Sequence, residues 1–174
     1  MDLFKHLIAF DLSSYGAGFA LVNRFADGEN VRSFELSPCG SGAQLILLGK
    51  ESLPLQFIEK EAHANFGSQI LDCQIVENMN PQLLPAYLAQ NKVKIQSALL
   101  ILEGSSVSRA LCLAQKFLNA GADVIDFRVL RTFPKNVVLT VTGPANTLLS
   151  GAGDENFKQT YIENPEPSVR SFFE

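Results

Sequence analysis

The sequence lacks any long hydrophobic run. No segment of its 174 residues approaches the ~18 consecutive apolar residues that a membrane-spanning helix needs. The apolar opening, residues 1–12, is interrupted by Asp11, and no cleavage site of small residues follows it. We therefore expect a cytoplasmic protein without a membrane partner.

Cysteine is scarce, and tryptophan is absent. The three cysteines, Cys39, Cys73 and Cys112, are odd in number and widely spaced. This argues against a disulfide framework and against a zinc site of the C-x-x-C type. Cys73 and Cys112 lie in apolar patterns, where a buried cysteine acts as a small hydrophobic residue.

An excess of basic residues is also missing. The chain has 14 Lys and Arg against 18 Asp and Glu, a net charge of −4, and its basic residues are scattered. A surface without a basic stripe has nothing to bind a phosphate backbone. We therefore do not expect nucleic acid as a partner.

The sequence does contain an internal repeat. Residues 7–25 align without a gap with residues 99–117, and both stretches have an apolar strand, an acidic residue, a Ser-Ser pair and a helical pattern. NVRSFEL then matches DVIDFRV, and AQLILLG matches NVVLTVTG. The closing YIENPEPSVRSFFE matches the earlier IVENMNPQLLPAYL. This matched order of segments indicates a duplication.

Each repeat is predicted to form a β-α-β-β-α-β unit, the ferredoxin-like arrangement. The fold class is therefore α/β (α+β), with a first domain at 1–90 and a second at 91–174. The second repeat is shorter between Gly143 and Tyr161. The second helix of that domain should consequently be about two turns shorter.

Periodicity predicts which residues of these elements share a face. A serine pair should cap the first helix of each repeat. In the first repeat this helix carries an apolar stripe at helical spacing, formed by Tyr15, Phe19, Val22 and Ala26. The last strand of that repeat alternates as a half-buried strand does, with its apolar face formed by Leu71, Cys73 and Ile75.

Two stretches resemble a known family. Gly40-Ser41-Gly42 followed by AQLILLGK resembles the pore-loop segment of bacterial microcompartment shell proteins, where Gly-Ser-Gly precedes a hydrophobic strand ending in Gly. The passage QIVENMNPQLLPAYLAQNKVKIQSALLILEG resembles the inter-domain segment of the tandem-domain shell proteins. With the duplication, the resemblance covers nearly the whole chain.

The resemblance implies a homotrimer that mimics a hexamer, with six domains around a central pore. Such trimers tile with other shell proteins into the shell of a bacterial microcompartment, and small metabolites cross through the pore. The protein would be structural, not an enzyme, and would require no cofactor. The pore-lining residues implied are Cys39, Gly40, Ser41 and Gly42 in the first domain and Thr132, Phe133, Pro134 and Lys135 in the second.

Cys39 has two interpretations. Three copies would face one another at the threefold axis, and three thiolates could bind an iron–sulfur cluster there, as in some tandem shell proteins that this one resembles. The trimer would then conduct electrons through the shell. The alternative is a small residue in a tight turn or a free thiol. Gly40 and Gly42 likewise either present backbone N–H groups to small anions or only satisfy hairpin geometry.

The chain departs from the shell family at the edges of the proposed assembly. Shell hexamers usually carry a lysine near the end of the first helix, where neighbouring hexamers meet. The corresponding positions here hold Asp27-Gly28-Glu29 and Asn119-Ala120-Gly121. Tiling into a lattice is therefore less secure than the trimer, and this gives some weight to an alternative without a shell, in which duplicated ferredoxin-like units form a regulatory trimer that binds small effectors.

Residue patterns for catalysis or metal binding are weak. His63 follows Glu59 at i+4, a spacing that can place two metal ligands on one helix face. Lys60 and Glu61 beside them are more typical of a solvated face. The serine pairs are interpreted as helix caps, since no histidine recurs beside them at equivalent places in both repeats.

Overall fold

The computed structural model describes residues 4–130 and 136–173. In these ranges the chain forms two compact units. The first comprises residues 4–79 and 106–112, and the second comprises residues 80–105, 113–130 and 136–173. The units do not coincide with the repeats, because residues 106–112, which open the second repeat's first helix, belong to the first unit. The domain boundary at residue 90 stays a prediction.

The first repeat forms one antiparallel sheet and two helices. Its strands are β1 (His6–Leu12), β2 (Val31–Cys39), β3 (Gly42–Gly49) and β4 (Ile70–Val76). They lie in the order β2-β3-β1-β4. Helix α1 (Tyr15–Phe25) joins β1 to β2, and α2 (Ser52–Phe66), followed by a 3₁₀ turn at Gly67–Gln69, joins β3 to β4.

The second repeat has the same order of elements. A short helix α3 (Leu83–Tyr87) precedes it and α6 (Pro167–Arg170) follows it. Its strands are β5 (Ala98–Gly104), β6 (Asp123–Leu130), β7 (Asn136–Gly143) and β8 (Lys158–Glu163), in the order β6-β7-β5-β8. Helices α4 (Val107–Asn119) and α5 (Ala145–Gly151) complete it. The predicted β-α-β-β-α-β order is confirmed in both repeats.

The shortened second helix is confirmed as well. Helix α2 has 15 residues and α5 has 7, a difference of about two turns. Among the described residues, no helix is long and apolar enough to cross a bilayer.

The core of the first unit lies between the sheet and the helices α1 and α2. Strand β1 is buried along its whole length, and its residues Ile8, Phe10 and Leu12 face this core. From α2, Leu55 and Ile58 pack into the same cluster. Each fully buried side chain of this size stabilises the fold by about 1.5–3 kcal/mol.

Helix α1 buries only part of the predicted stripe: Val22 packs against the core cluster, but the two aromatic residues do not. Ser14 caps it as expected, because its hydroxyl accepts the N–H of Ala17 at 3.4 Å. Tyr15 and Phe19, however, are 40% and 56% exposed. The buried face runs through Gly18 instead, where a β-carbon would lie 2.4 Å from Leu36. A helix face with small side chains can pack closer to the sheet, so the Gly18 face of α1 is buried and the aromatic face is not.

Strand β4 also departs from its predicted alternation. Cys73 and Ile75 pack against the core cluster as predicted, but Leu71 is 67% exposed. The pairing of β4 with β1 shifts by one residue beside Leu12, which pairs with Ile70. This β-bulge places Ile70 against the core and turns Leu71 outward.

Candidate functional site

The predicted pore loop forms the tip of the β2–β3 hairpin. Cys39 pairs with Gly42, so Gly40 and Ser41 are the two turn residues. Gly40 has φ +62°, a left-handed conformation that glycine adopts without the steric strain of a β-carbon. Gly40 and Ser41 are exposed, whereas Cys39 and Gly42 are buried.

Gly42 is required by packing. A β-carbon at this position would lie 1.8 Å from the carbonyl oxygen of Leu12, far inside van der Waals contact. The backbones of β3 and of the end of β1 therefore approach closely only because residue 42 has no side chain. Hairpin geometry therefore explains Gly40, and close packing against the end of β1 explains Gly42.

Cys39 is only 4% exposed. A cluster shared by three chains needs a thiol at the surface of each chain, so the buried position of Cys39 does not fit a ligand on a symmetry axis. The position fits a small apolar residue at the end of β2. The iron–sulfur cluster stays a prediction, and no step of the proposed function depends on it.

The second predicted pore loop, with Thr132, Phe133, Pro134 and Lys135, lies outside the described residues. The strands on either side of it are described. Leu130, the last residue of β6, pairs with Asn136, the first residue of β7. Strands β6 and β7 are thus paired up to both ends of this segment, as β2 and β3 are in the first repeat.

The loop after α1 is held by a carboxylate. Asp27 accepts the backbone N–H groups of Glu29, Asn30 and Val31 at 2.8, 2.7 and 2.9 Å. The hydrogen bond from Val31, supported by those from Asn30 and Glu29, outweighs the desolvation that opposes it and lowers the pKa of Asp27 to about 2. This segment, which lacks the shell family's edge lysine, is a turn closed by the hydrogen bonds to Asp27.

A cleft of about 410 Å³ lies beside this turn, and its lining includes two basic and two acidic residues. The basic residues are Arg24 and Lys50, and the acidic residues are Asp27 and Glu51. The backbone N–H of Lys50 donates to the carbonyl of Asn30 at 3.1 Å. The sequence alone did not reveal this lysine, because it lies 20 residues along the chain from Asn30 and only strand pairing brings it to the turn.

Asp11 is a buried carboxylate that holds the start of α4. It accepts the N–H of Ser108 at 3.0 Å and that of Val107 at 3.3 Å. The Ser108 hydroxyl donates to it at 2.8 Å. These bonds satisfy N–H groups that a helix start leaves without intrahelical partners. The Ser106 hydroxyl adds a cap, since it accepts the N–H of Arg109 at 3.1 Å. The predicted capping role of the second serine pair is confirmed.

Asp72 extends this polar cluster. It forms an ion pair with Arg109 and accepts hydrogen bonds from Gln74 and from the Ser106 hydroxyl. Burial alone would raise the pKa of Asp72, but the hydrogen bonds from Gln74 and Ser106 and the charge of Arg109 together lower it. The serine hydroxyls in this cluster serve carboxylates and helix ends, which matches capping and not nucleophilic chemistry.

A third grouping contains potential metal ligands. The carboxylate of Glu59, the imidazole of His63 and the thiol of Cys73 place one ligand atom each within 4.8 Å of one another. Burial, and next the nearby carboxylate of Glu59, raise the pKa of the Cys73 thiol far above its ordinary value. Sequence analysis noted Glu59 and His63 but missed Cys73, which lies on a different element.

Comparison with known structures identifies the fold. The chain superimposes on a microcompartment protein from Desulfitobacterium hafniense DCB with a TM-score of 0.76 and 18% sequence identity, over 97% of this chain and 99% of that chain. At this level of identity the likeness establishes the fold alone. The chain therefore has the fold of a microcompartment protein, as the sequence resemblance predicted.

Two further structures are much less similar. A protein proposed to be a glycine cleavage system transcriptional repressor matches with a TM-score of 0.33 and 8% identity, over 92% of this chain and 98% of its own. An unknown protein from Galdieria sulphuraria matches with a TM-score of 0.25 and 12% identity, over 91% and 98%. No protein-family model and no curated protein matches the chain.

Proposed function

We propose that this protein is a structural shell protein of a bacterial microcompartment. The observation that carries the proposal is the fold shared with the Desulfitobacterium hafniense microcompartment protein over nearly the full length of both chains. Both repeats take part in that match. The Gly-Ser-Gly hairpin, which resembles the pore loop of shell proteins, lies at an exposed strand junction. The proposed location is the cytoplasm, in the shell.

The assembly we propose is a homotrimer with six β-α-β-β-α-β domains around one axis. Exposed apolar side chains on the helices of the first unit support association. Phe19 is 56% exposed and Phe57 is 59% exposed. Burying such side chains in a closed cyclic oligomer stabilises it, since water no longer surrounds them.

The proposed pore lies where the hairpin tips meet. Gly40 and Ser41 would contribute exposed backbone and one hydroxyl from the first repeat, with Cys39 and Gly42 directly behind them. Thr132, Phe133, Pro134 and Lys135 would alternate with them from the second repeat. Exposed N–H groups and a hydroxyl suit passing contacts with small polar metabolites.

Other shell proteins are the proposed partners at the outer edge. The cleft beside the Asp27 turn is lined by the basic residues Arg24 and Lys50 together with the acidic residues Asp27 and Glu51. We propose that Arg24 and Lys50 make the contacts with neighbouring assemblies that a lysine near the end of the first helix makes in the shell family. Sheets seen by electron microscopy at high protein concentration would support tiling. A thermal shift with a small effector, without sheets, would instead favour the regulatory trimer.

Native mass spectrometry of protein purified without oxygen tests the proposed assembly. Three chains of 19.0 kDa each are expected. A single chain under all conditions would overturn the trimer and the pore with it. Added mass equal to a cluster, lost in Cys39→Ser but kept in Cys112→Ser, would support the iron–sulfur alternative. A trimer without added mass would leave Cys39 as a buried residue at the end of β2.

A further inference from the structure

Two secondary-structure elements bring three metal-binding side chains together. Glu59 and His63 are separated by four residues on α2 and therefore project from the same face of the helix. Cys73 lies on β4, the edge strand that packs beside α2. Their ligand atoms all lie within 4.8 Å of one another.

The regular register of β4 sets this arrangement. Cys73 and Ile75 pair with Phe10 and Ile8 in the unshifted part of the strand, so both side chains face the core and the helices. Cys73 thus packs against the core, and only Glu59 and His63 on the helix need to adjust around an ion.

The donor set indicates the class of metal. One carboxylate oxygen, one imidazole nitrogen and one thiolate sulfur suit zinc and other borderline divalent transition metals. Magnesium and calcium, which take oxygen ligands, do not match a thiolate. Three protein ligands leave one position of a tetrahedral ion for water.

The observed separation is close to what coordination needs. With Zn–S of about 2.3 Å and Zn–N of about 2.0–2.1 Å, tetrahedral ligand atoms lie roughly 3.3–3.6 Å apart. The grouping must therefore contract by at most roughly 1.2–1.5 Å. The exposed side chain of His63 and the half-buried side chain of Glu59 have room for such a rotation.

Electrostatics favours a cation at this point. Glu59 and a Cys73 thiolate would bring two negative charges together in a partly buried place. A divalent cation between them offsets that repulsion and the desolvation of both groups. On binding, the thiol releases its proton to solvent and the sulfur becomes the metal ligand.

We propose that Glu59, His63 and Cys73 form a zinc-type transition-metal site that links helix α2 to strand β4. The ion ties the long helix of the first repeat to the edge of its sheet. The second repeat has only the 7-residue helix α5 at the corresponding place. The site does not depend on assembly into a shell.

Equilibrium binding of Zn²⁺ and Co²⁺ to the full chain, first treated with a chelator, tests this site. We expect one Zn²⁺ bound per chain and a rise in the midpoint of thermal unfolding. Co²⁺ should produce a thiolate-to-cobalt charge-transfer band. His63→Gln and Cys73→Ser should each weaken Zn²⁺ binding at least tenfold, and Cys73→Ser should abolish the band.

Two matched controls separate the site from general effects. Cys112→Ser removes the cysteine whose thiol lies near Gln74 and not in the grouping. Glu61→Gln changes the helix carboxylate that pairs with Arg24. Both controls should bind Zn²⁺ as the unmodified chain does. Should Cys73→Ser not fold, His63→Gln decides, because His63 is exposed. Absence of stoichiometric binding, or equal weakening by Cys112→Ser, would overturn the proposal.

Discussion

Single residues of the hairpin show two separate reasons for glycine. Gly40 occupies a left-handed turn position with φ +62°, so its conformation demands glycine or a residue that tolerates strain. Gly42 is extended, and its constraint is the Leu12 carbonyl oxygen 1.8 Å from a β-carbon at that position. The first constraint can be guessed from a turn pattern, but the second requires knowledge of which backbone lies across the sheet.

Replacing Gly42 with alanine should destabilise the first unit strongly. A backbone oxygen cannot rotate away as a flexible side chain can, so we expect a loss of about 3 kcal/mol, the upper range for overpacking. Urea unfolding followed by circular dichroism measures it. Gly67→Ala is the control, since a β-carbon there meets nothing within 4 Å. That variant should change stability by less than about 1 kcal/mol, in the stabilising direction. Equal effects would contradict the close approach at Gly42.

The Asp27 turn predicts a pH dependence of stability. The pKa of the Asp27 carboxyl is lowered from 3.8 to about 2 in the folded chain, chiefly by the N–H of Val31. Folding therefore favours the charged carboxylate. Its contribution to stability is fully present above pH 3.8 and is lost as the pH falls through about 2. Asp27→Ala should lower the unfolding temperature above that range and converge with the unmodified chain below it.

Thermal unfolding between pH 2 and pH 6 checks this expectation. Glu29→Ala provides the comparison, because it removes a neighbouring exposed carboxylate from the same loop while the hydrogen bonds accepted by Asp27 remain. Its difference from the unmodified chain should not collapse between pH 4 and pH 2. A pH-independent effect of Asp27→Ala would show that the turn, and not the charge, carries the stability.

At the scale of elements, the two repeats differ most in their second helix. Helix α2 buries Leu55, Ile58 and Ala62. Helix α5 buries only Leu148 and Gly151. A β-carbon on Gly151 would lie 2.3 Å from Phe117, so α5 approaches α4 closely at that point. A helix of two turns has little stability of its own and depends on these few contacts.

Leu148 should therefore anchor α5. We expect Leu148→Ala to lower the free energy of unfolding by about 2–5 kcal/mol, the usual range for a fully buried leucine. The adjacent residue supplies a control, since Leu149 is 55% exposed and Leu149→Ala should stay within about 0.5 kcal/mol. Denaturant unfolding of both variants makes the comparison. Similar losses would mean that α5 packs through a different face.

At the scale of the whole molecule, the proposed trimer places hairpin tips at a common axis. Ser41 is exposed at the hairpin tip, just after the last residue of β2. Glu29 is exposed in the loop that precedes the first residue of β2. Those two positions should differ in their distance from the axis. They therefore provide a matched pair for testing the pore separately from the oligomeric state.

Chemical cross-linking tests this geometry. Ser41→Cys, treated with a short bifunctional maleimide, should yield chains joined across the axis, whereas Glu29→Cys in dilute solution should not. The unmodified chain reports any background from the native cysteines, of which Cys39 is buried. If mass spectrometry shows a trimer but Ser41→Cys does not cross-link, the proposed pore is contradicted and the proposed trimer is not.

The β-α-β-β-α-β order, the shortened α5 and the caps at Ser14 and Ser106 could all be predicted, because they depend on neighbours a few residues apart and on the duplication itself. The exposed aromatics of α1 could not, because Gly18 and Leu36 decide which face packs. Helical spacing identifies an apolar stripe but not the shape of the surface that receives it.

The order of strands and helices follows from local patterns along the chain, repeated twice. Which side chains meet across elements depends on register. The one-residue bulge beside Leu12 turns Leu71 outward, and the packing of α2 beside β4 brings Cys73 to Glu59 and His63. A shift of one residue in a strand exchanges its two faces, and the sequence of β4 carries no mark of where that shift falls. The metal grouping therefore emerges only when α2 packs beside β4, and the Gly42 contact emerges only when the strands are paired.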